Sequence, residues 1–426
     1  MVESVMEERG KMQWVSSLST RASLEAAVQE VVHQCQSQLT APADLALVFL
    51  SSAFASEYSR LMPLLKEYLS VPVILGCGGG GIIGMTPEGQ SQEVEAEPAV
   101  SLSLAYLPGV KLKTFHLSAQ DLPDLDSPPD LWMQRVGVPA PENPHFVLLA
   151  DPFSAQINDL LAGLDYAYPG ASKVGGLASS GTLSRQIALF CDYHCYREGT
   201  VGLALSGNVI LDTIVAQGCR PIGHPYWITE GERNILLELE EQVSFEEAAG
   251  VGPKQSPLEA LRELIQSLSE ADQELAQNSL FVGVVRDEFK VKLEQGDFLI
   301  RNLLGVDPRV GAIAIGDRVR PGQRIQFHLR DAQTSAEDLE MLLQRYQDQI
   351  ESTDQTTSIQ NAGALMFACL GRGEGLYGKP NFDSQLLRHY FPIPISGFFC
   401  NGEIGPVGSS TFLHGYTSVF GICRQP

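Results

Sequence analysis

The chain has 426 residues, room for two or three domains, and its 29 basic against 51 acidic residues give a net charge of −22. That balance excludes nucleic acid and anionic membrane as docking surfaces, because both demand basic patches. No apolar run reaches the ~18–20 residues of a membrane span. The first residues carry Glu3, Glu7 and Glu8 before any apolar run, unlike a secretory signal or an acid-poor transit peptide. Eight cysteines without disulfide-like clustering point to free thiols in a reducing compartment, so the expected location is cytoplasmic.

In chain order, Leu24, Ala27, Val28, Val31, Val32, Cys35 and Leu39 fall on one face of a helix over 22–39. A buried strand over 44–49, an amphipathic helix carrying Tyr58, Leu61, Leu65 and Tyr68, and a strand over 71–75 make a βαβ unit with parallel pairing. The glycine run 76–84 then satisfies G-x-G-x-x-G twice. It is followed by Thr86-Pro87 and an acidic run, Glu93, Glu95 and Glu97, not by a helix. A dinucleotide site needs that helix N-terminus, so the run reads as a tight turn that lets another backbone or a small ligand come close. Strands over 100–106 and 110–117 flank Leu107-Pro108-Gly109 as a hairpin, and the proline-rich 118–144 reads as a long surface loop. A strand over 146–149, a helix over 155–166 and a glycine-rich turn over 173–181 follow. The order strand, helix, strand, glycine loop, antiparallel strands thus occurs twice before residue 230. Further strands are expected over 186–191, 201–205 and 209–216, the last two joined at Gly207-Asn208. Cys191, His194, Cys195, Cys219 and His224 lack the spacing of a zinc site, and neither a metal nor a cofactor is expected.

Composition changes at 217–223. The acid-rich 230–250 reads as a helix, and a domain boundary is placed near 231. Beyond it come a helix over 258–268, then strands over 280–285, 298–304, 311–315 and 324–329. A helix over 335–349 is expected to be capped by Ser335. A strand over 362–370, a glycine loop over 371–378, a helix over 382–390 and the apolar run 395–399 close the list. The expected class is α/β, two lobes, each a mixed sheet with packed helices and glycine-rich loops. The division is 1–40, a leader and helix; 41–230; and 231–426.

Polar groups cluster where these later strands end: Arg301, Asn302, Arg330, Asp331, Cys369, Arg372, Cys400, Asn401, Glu403 and His414. Arginines and carboxylates after buried strands are costly unless paired or bound. Two readings stand. One is a structural Arg–carboxylate network, with Glu403 held by an arginine such as Arg301 or Arg372. The other is a ligand site, with Arg clamping a carboxylate and Glu403 or Asp331 taking an ammonium group. There is no G-x-S-x-G, no H-E-x-x-H and no defensible triad. Cys369 or Cys400 with His414 is the remaining nucleophile–base pairing.

The strings FLIRNLLGVD (298–307), FHLRDA (327–332), MFACLGRGEGLYG (366–378), GFFCNGEIGPVG (397–408) and FLHGYT (412–417) resemble the FIST C-terminal domain. VILGCGGGGIIG (73–84), GGLASSG (175–181), GLALSG (202–207) and QGCRPIG (217–223) resemble the FIST N-terminal domain. The resemblance runs from about residue 40 to the end. It implies an intracellular sensory module that binds a small polar ligand, such as an amino acid or organic acid, and signals to a downstream partner. It carries no catalytic set. Family members often join an output unit such as a kinase or an F-box, and the 40 residues before the resemblance are too short for either. The alternatives are a protein-interaction scaffold and a thiol-dependent enzyme.

Overall fold

A computed structural model of the chain describes residues 10–153, 156–180, 186–242, 251–294, 296–353, 355 and 359–426. Two compact units result, and the first is discontinuous. It joins the residues up to Ala216 to Glu340–Pro426, while the second is Gln217–Leu339.

The first unit is one eight-element plan used three times, the third time with one short additional helix. The first repeat is β1 (Gln13–Ser19), α1 (Leu24–Gln38), β2 (Leu45–Ser51), α2 (Tyr58–Tyr68), β3 (Val73–Gly79), β4 (Gly81–Met85), β5 (Ser91–Glu95) and β6 (Val100–Tyr106). The second is β7 (Val110–Leu117), α3 (Pro129–Val136), β8 (His145–Ala150), α4 (Ile157–Ala167), β9 (Lys173–Leu177), β10 (Leu189–Cys191), β11 (His194–Tyr196) and β12 (Thr200–Gly207). The third opens with β13 (Ile210–Ala216) and is interrupted by the second unit. That unit holds β14 (Cys219–Glu232), β15 (Ile235–Gln242), β16 (Val251–Gln255), α5 (Pro257–Ser267), α6 (Glu270–Ala276), β17 (Leu280–Val285), β18 (Phe298–Asp307), β19 (Ala312–Ile315) and β20 (Arg324–Arg330). The third repeat resumes in α7 (Ala332–Ser352), then β21 (Gly363–Cys369), α8 (Glu374–Tyr377), α9 (Phe382–Tyr390), β22 (Ile395–Cys400), β23 (Glu403–Val407), β24 (Ser410–His414) and β25 (Ser418–Arg424).

The three sheets have matching orders: β1-β6-β2-β3-β10-β11, β7-β12-β8-β9-β23-β24 and β13-β25-β21-β22-β4-β5. In each, the two strands joined by a helical crossover are the only parallel pair among the described residues, β2–β3, β8–β9 and β21–β22. Each repeat also gives its hairpin away. β4–β5 of the first extends the third sheet at β22, β23–β24 of the third extends the second sheet at β9, and β10–β11 of the second extends the first sheet at β3. The exchange closes a cycle and covers the open edge of every parallel pair. One glycine marks the shared register. Gly76, Gly175 and Gly397 sit opposite Val48, Leu148 and Met366. A Cβ there would lie 1.9, 1.8 and 1.8 Å from those residues' carbonyl oxygens.

Inner strand faces from all three sheets share one core, including Phe49, Cys77, Leu149, Val174, Leu203, Phe367 and Phe398. Val28, Val31, Leu61 and Leu65 of α1 and α2 bury the outer face of the first sheet, and Trp132, Leu160 and Leu164 of α3 and α4 bury that of the second. Strands covered on both faces read as near-continuous apolar runs, which is why they were legible. The second unit is an antiparallel ring, β14-β20-β17-β18-β19-β15, closed by β14–β15, with β16 added at β15. Ile228, Leu236, Val282, Ile313 and Phe327 fill it.

The α/β class with mixed sheets holds, and several local expectations do not. The boundary near 231 falls inside β14 of the second unit. The pattern seen twice occurs three times. Residues 13–19, assigned to a leader, form β1. The loop over 118–144 contains α3, whose proline at the first turn favours helix. Residues 173–177 form β9 rather than a turn, since their glycines admit a close parallel neighbour. The Leu107–Gly109 and Gly207–Asn208 turns are not hairpins: each passes the chain from one sheet to another. The acid-rich 230–242 is strand, with Leu236 and Leu239 buried, and the remainder of that expected helix, 243–250, lies outside the described residues. Finally, α7 starts at Ala332, so Ser335 is inside it, and its Oγ donates to the Gly218 carbonyl at 3.0 Å.

Candidate functional site

Parallel neighbours put the C-terminal ends of β21 and β22 side by side, with Cys369 opposite Cys400. Such ends are where open α/β sheets bind ligands. Six of the ten residues singled out by sequence collect there. The Cys369 N–H donates to the Thr417 carbonyl at 2.9 Å, and the Thr417 N–H donates to Glu403 Oε2 at 3.1 Å. Glu403 is fully buried and faces His414 across the β23–β24 ladder; His414 Nε2 lies 3.0 Å from the Gly405 carbonyl. Asn401 is exposed at the turn after β22, and its N–H donates to the Leu177 carbonyl of the second repeat at 3.0 Å. Cys400 is buried where Gly176 leaves room for its sulfur. Burial, with Glu403, Cys77 and Cys369 nearby, pushes its thiol well above the usual range, which makes it a poor nucleophile.

Arg372 is 1% exposed and clamps Asp383 from two nitrogens, at 2.6 and 3.0 Å. Tyr377 joins both, donating to Asp383 at 2.8 Å and receiving from Arg372, whose third nitrogen reaches the Tyr416 carbonyl at 3.4 Å. The glycine loop over 371–378 is therefore held by a buried ion pair. Its partners were missed in sequence because Asp383 lies 11 positions on, inside an amphipathic helix.

The hairpin β4–β5 of the first repeat locks on to this loop. The Glu93 N–H donates to Asn381 Oδ1 at 2.6 Å, and Glu93 Oε1 accepts from the Ser384 N–H at 2.8 Å. Together they supply the α9 N-terminus with a capping box whose two halves come from different repeats, replacing the cap that Asn381, in a left-handed conformation, does not give. Glu95 accepts from the Glu374 N–H at 2.9 Å. Glu93 is 5% exposed, and its Oε2 has no hydrogen-bond partner among the described residues. Burial first, then Asp383 and Glu95, push its carboxyl up to about 7, against the pull of the Ser384 bonds. In the acidic run that follows the glycines, β5 turns Glu93 inward.

The other four residues belong to the second unit. Arg301 pairs with Asp317 at 2.6 Å, and Asn302 is exposed. Arg330 ends β20 with its guanidinium 5.9 Å from the Phe281 ring. Asp331 caps α7, accepting from the Thr334 N–H at 2.7 Å and from Arg220 at 3.3 Å. Burial pushes its carboxyl up, and these bonds outweigh that and hold it below the usual range.

Two further features of the first unit were not singled out as site residues, although Ser179 lies in the GGLASSG string (175–181). Ser179, after β9, accepts from the Gly80 N–H at 2.7 Å and donates to the Phe399 carbonyl, tying the turns of all three repeats together. A cleft of about 520 Å³ opens at the C-terminal edge of the first two repeats. It is lined by Ala55 and Ser56 after β2, Phe153 after β8, and Gln186, Ile187 and Arg197 of the exchanged hairpin. Arg197 donates to the Ile187 carbonyl at 2.9 Å and lies over the Tyr58 ring; no carboxylate pairs with it among the described residues.

The FIST N domain pattern matches residues 44–242 and the FIST C domain pattern residues 257–406. Uncharacterized protein Rv0628c of Mycobacterium tuberculosis is 33% identical over 94% of this chain and 97% of its own length. Uncharacterized protein Mb0898c of Mycobacterium bovis is 32% identical over 95% and 96%. F-box/LRR-repeat protein At5g63520 of Arabidopsis thaliana is 26% identical over 34% of this chain and 30% of its own. FIST domains are associated with small-ligand sensing and signalling. With both domains matched in tandem and relatives 32% and 33% identical over nearly their full length, the chain belongs to the FIST family.

Proposed function

We propose that the chain is an intracellular sensory protein that binds a small polar metabolite, an amino acid or an organic acid, and passes a conformational change to a signalling partner. The observation that carries this reading is the cleft of about 520 Å³ at the C-terminal edge of the parallel strands. Its volume suits a small ligand. It offers Arg197, free of any carboxylate among the described residues, to a ligand carboxylate, and Phe153 and Ile187 to an apolar part. In this reading Cys369, Arg372, Cys400, Glu403 and His414 hold the adjoining loops, and Asn401 is the exposed member available to a ligand. Arg301, Asn302, Arg330 and Asp331, in the second unit, take no part in this cleft. Eight free cysteines fit a reducing compartment.

The test is a thermal-shift screen against the twenty amino acids and common organic acids, on protein freed of bound ligand by refolding. Ligand at 100 times its dissociation constant stabilises by about 2.7 kcal/mol. Arg197→Gln removes the response. A flat screen across the whole set sinks the reading.

A further inference from the structure

Glu93 is a buried acid placed between two repeats, and nothing in the small-ligand reading uses it. On one side it closes the shared capping box with Asn381 and Ser384. On the other its Oε2 has no hydrogen-bond partner among the described residues, beside a second buried carboxyl, Asp383. Asp383 is already saturated by Arg372 and Tyr377, so none of its counter-charge is spare for Glu93. The other charged groups on these elements are Glu95 on the same strand, which bonds the Glu374 N–H; Arg388 on α9, bonded to Met85 Sδ and the Ile393 carbonyl; and Glu374 and Lys379, exposed in the loop, with Lys379 over the Phe382 ring. An ionised Glu93 is thus a second anion beside Asp383 and Glu95, with no cation hydrogen-bonded to it among the described residues. Protonated, it removes that repulsion and keeps the Oε1 bond.

We propose that Glu93 is a proton-operated latch: protonated, it fastens the β4–β5 hairpin of the first repeat to the 371–384 loop of the third, and ionisation loosens the contact. The protein would then read pH at the loop that carries Arg372, as an input separate from any metabolite. The direction is fixed by linkage. A carboxyl raised from 4.5 to about 7 in the folded state binds more protons there than in the unfolded chain between those values. The latch is therefore fully closed below about pH 5 and lost as pH rises through 7.

Amide hydrogen exchange on the full chain tests it, with rates corrected for the intrinsic effect of pH. Between pH 5.5 and 8.5, protection of 81–95 and 372–384 falls at least tenfold in the natural protein. β8 and β12, in the second sheet, stay unchanged. In Glu93→Gln, which keeps a carbonyl acceptor without the charge, protection of the same segments is independent of pH. Equal pH dependence in Glu93→Gln, or flat protection in the natural chain, overturns the latch. Should Glu93→Gln not fold, carbon NMR of the side-chain carboxyl in the unaltered protein decides: a midpoint near 7 supports the proposal, and one near 4.5 ends it.

Discussion

At the third sheet, the loop after β21 meets the exchanged hairpin β4–β5 through buried polar groups. Arg372, Tyr377 and Asp383 fill the loop, and Glu93 and Glu95 of the hairpin bond its backbone. At the first sheet, the corresponding loop after β2 meets the exchanged hairpin β10–β11 and leaves a cleft of about 520 Å³ rimmed by Arg197, Gln186 and Phe153. Strand order, direction and hairpin exchange are the same in both places. Backbone plan therefore fixes where a junction lies, and side chains decide whether it is plugged or open. A repeat plan of this kind lets one junction specialise for rigidity and another for binding without disturbing the core that both share.

The equivalence of the sheets is the premise most open to attack, and the parallel-pair glycines attack it hardest. Gly76→Ala, Gly175→Ala and Gly397→Ala each set a methyl against a buried carbonyl that cannot move without breaking its ladder. Each is expected to cost roughly 5 kcal/mol, at the top of the range for point substitutions. Urea unfolding measures it. One tolerant site would show that its sheet does not follow the common register.

Next in size is the plugged junction. Arg372→Ala leaves Asp383, 1% exposed, as a buried charge without its partner, and should cost about 4 kcal/mol. Replacing the pair together, Arg372→Met with Asp383→Leu, should recover most of that loss, because the penalty lies in the orphaned charge rather than in the pair's net worth. If the double substitution is as damaging as the single one, the ion pair is holding the loop by more than charge balance.

Much of the first unit could be read from the chain alone. The strands are buried on both faces, so 44–49, 71–75, 146–149 and 362–370 announced themselves as apolar runs, and α1 and α2 showed their stripes. What did not show was anything settled by distant neighbours. Gly175–Gly176 looked like a turn because glycine signals both turns and close strand packing. The turns at Gly109 and Gly207 looked like hairpins because local chemistry does not reveal which sheet the next strand joins. The third repeat was hidden by 123 inserted residues, Gln217–Leu339. At the site, residue types were legible and partners were not. Arg372 and Glu403 stood out as awkward after buried strands, but Asp383 and the Thr417 N–H, which satisfy them, carry no signature. Arg197 sits in ordinary local sequence and Ser179 in the glycine-rich 175–181 string, and both acquire meaning only where repeats meet.

The smallest effects separate the two junctions most sharply. Ser179→Ala removes one hydroxyl that serves the Gly80 N–H and the Phe399 carbonyl, leaving a part-buried N–H and a buried carbonyl to find other partners; a loss of about 1–2 kcal/mol is expected. Arg197→Ala should change stability by only about 0.5 kcal/mol or less, since this side chain is exposed and gives up one hydrogen bond and a contact with Tyr58. An arginine at the plugged junction thus matters for folding by several kilocalories, and its counterpart at the open junction hardly at all. That asymmetry is what a binding residue predicts: Arg197→Ala should leave the unfolding midpoint of the ligand-free protein in place while abolishing the shift produced by any carboxylate found in the screen. If Arg197→Ala instead destabilises the free protein as Arg372→Ala does, the first junction is a structural contact like the third, and the cleft loses its claim to be a site.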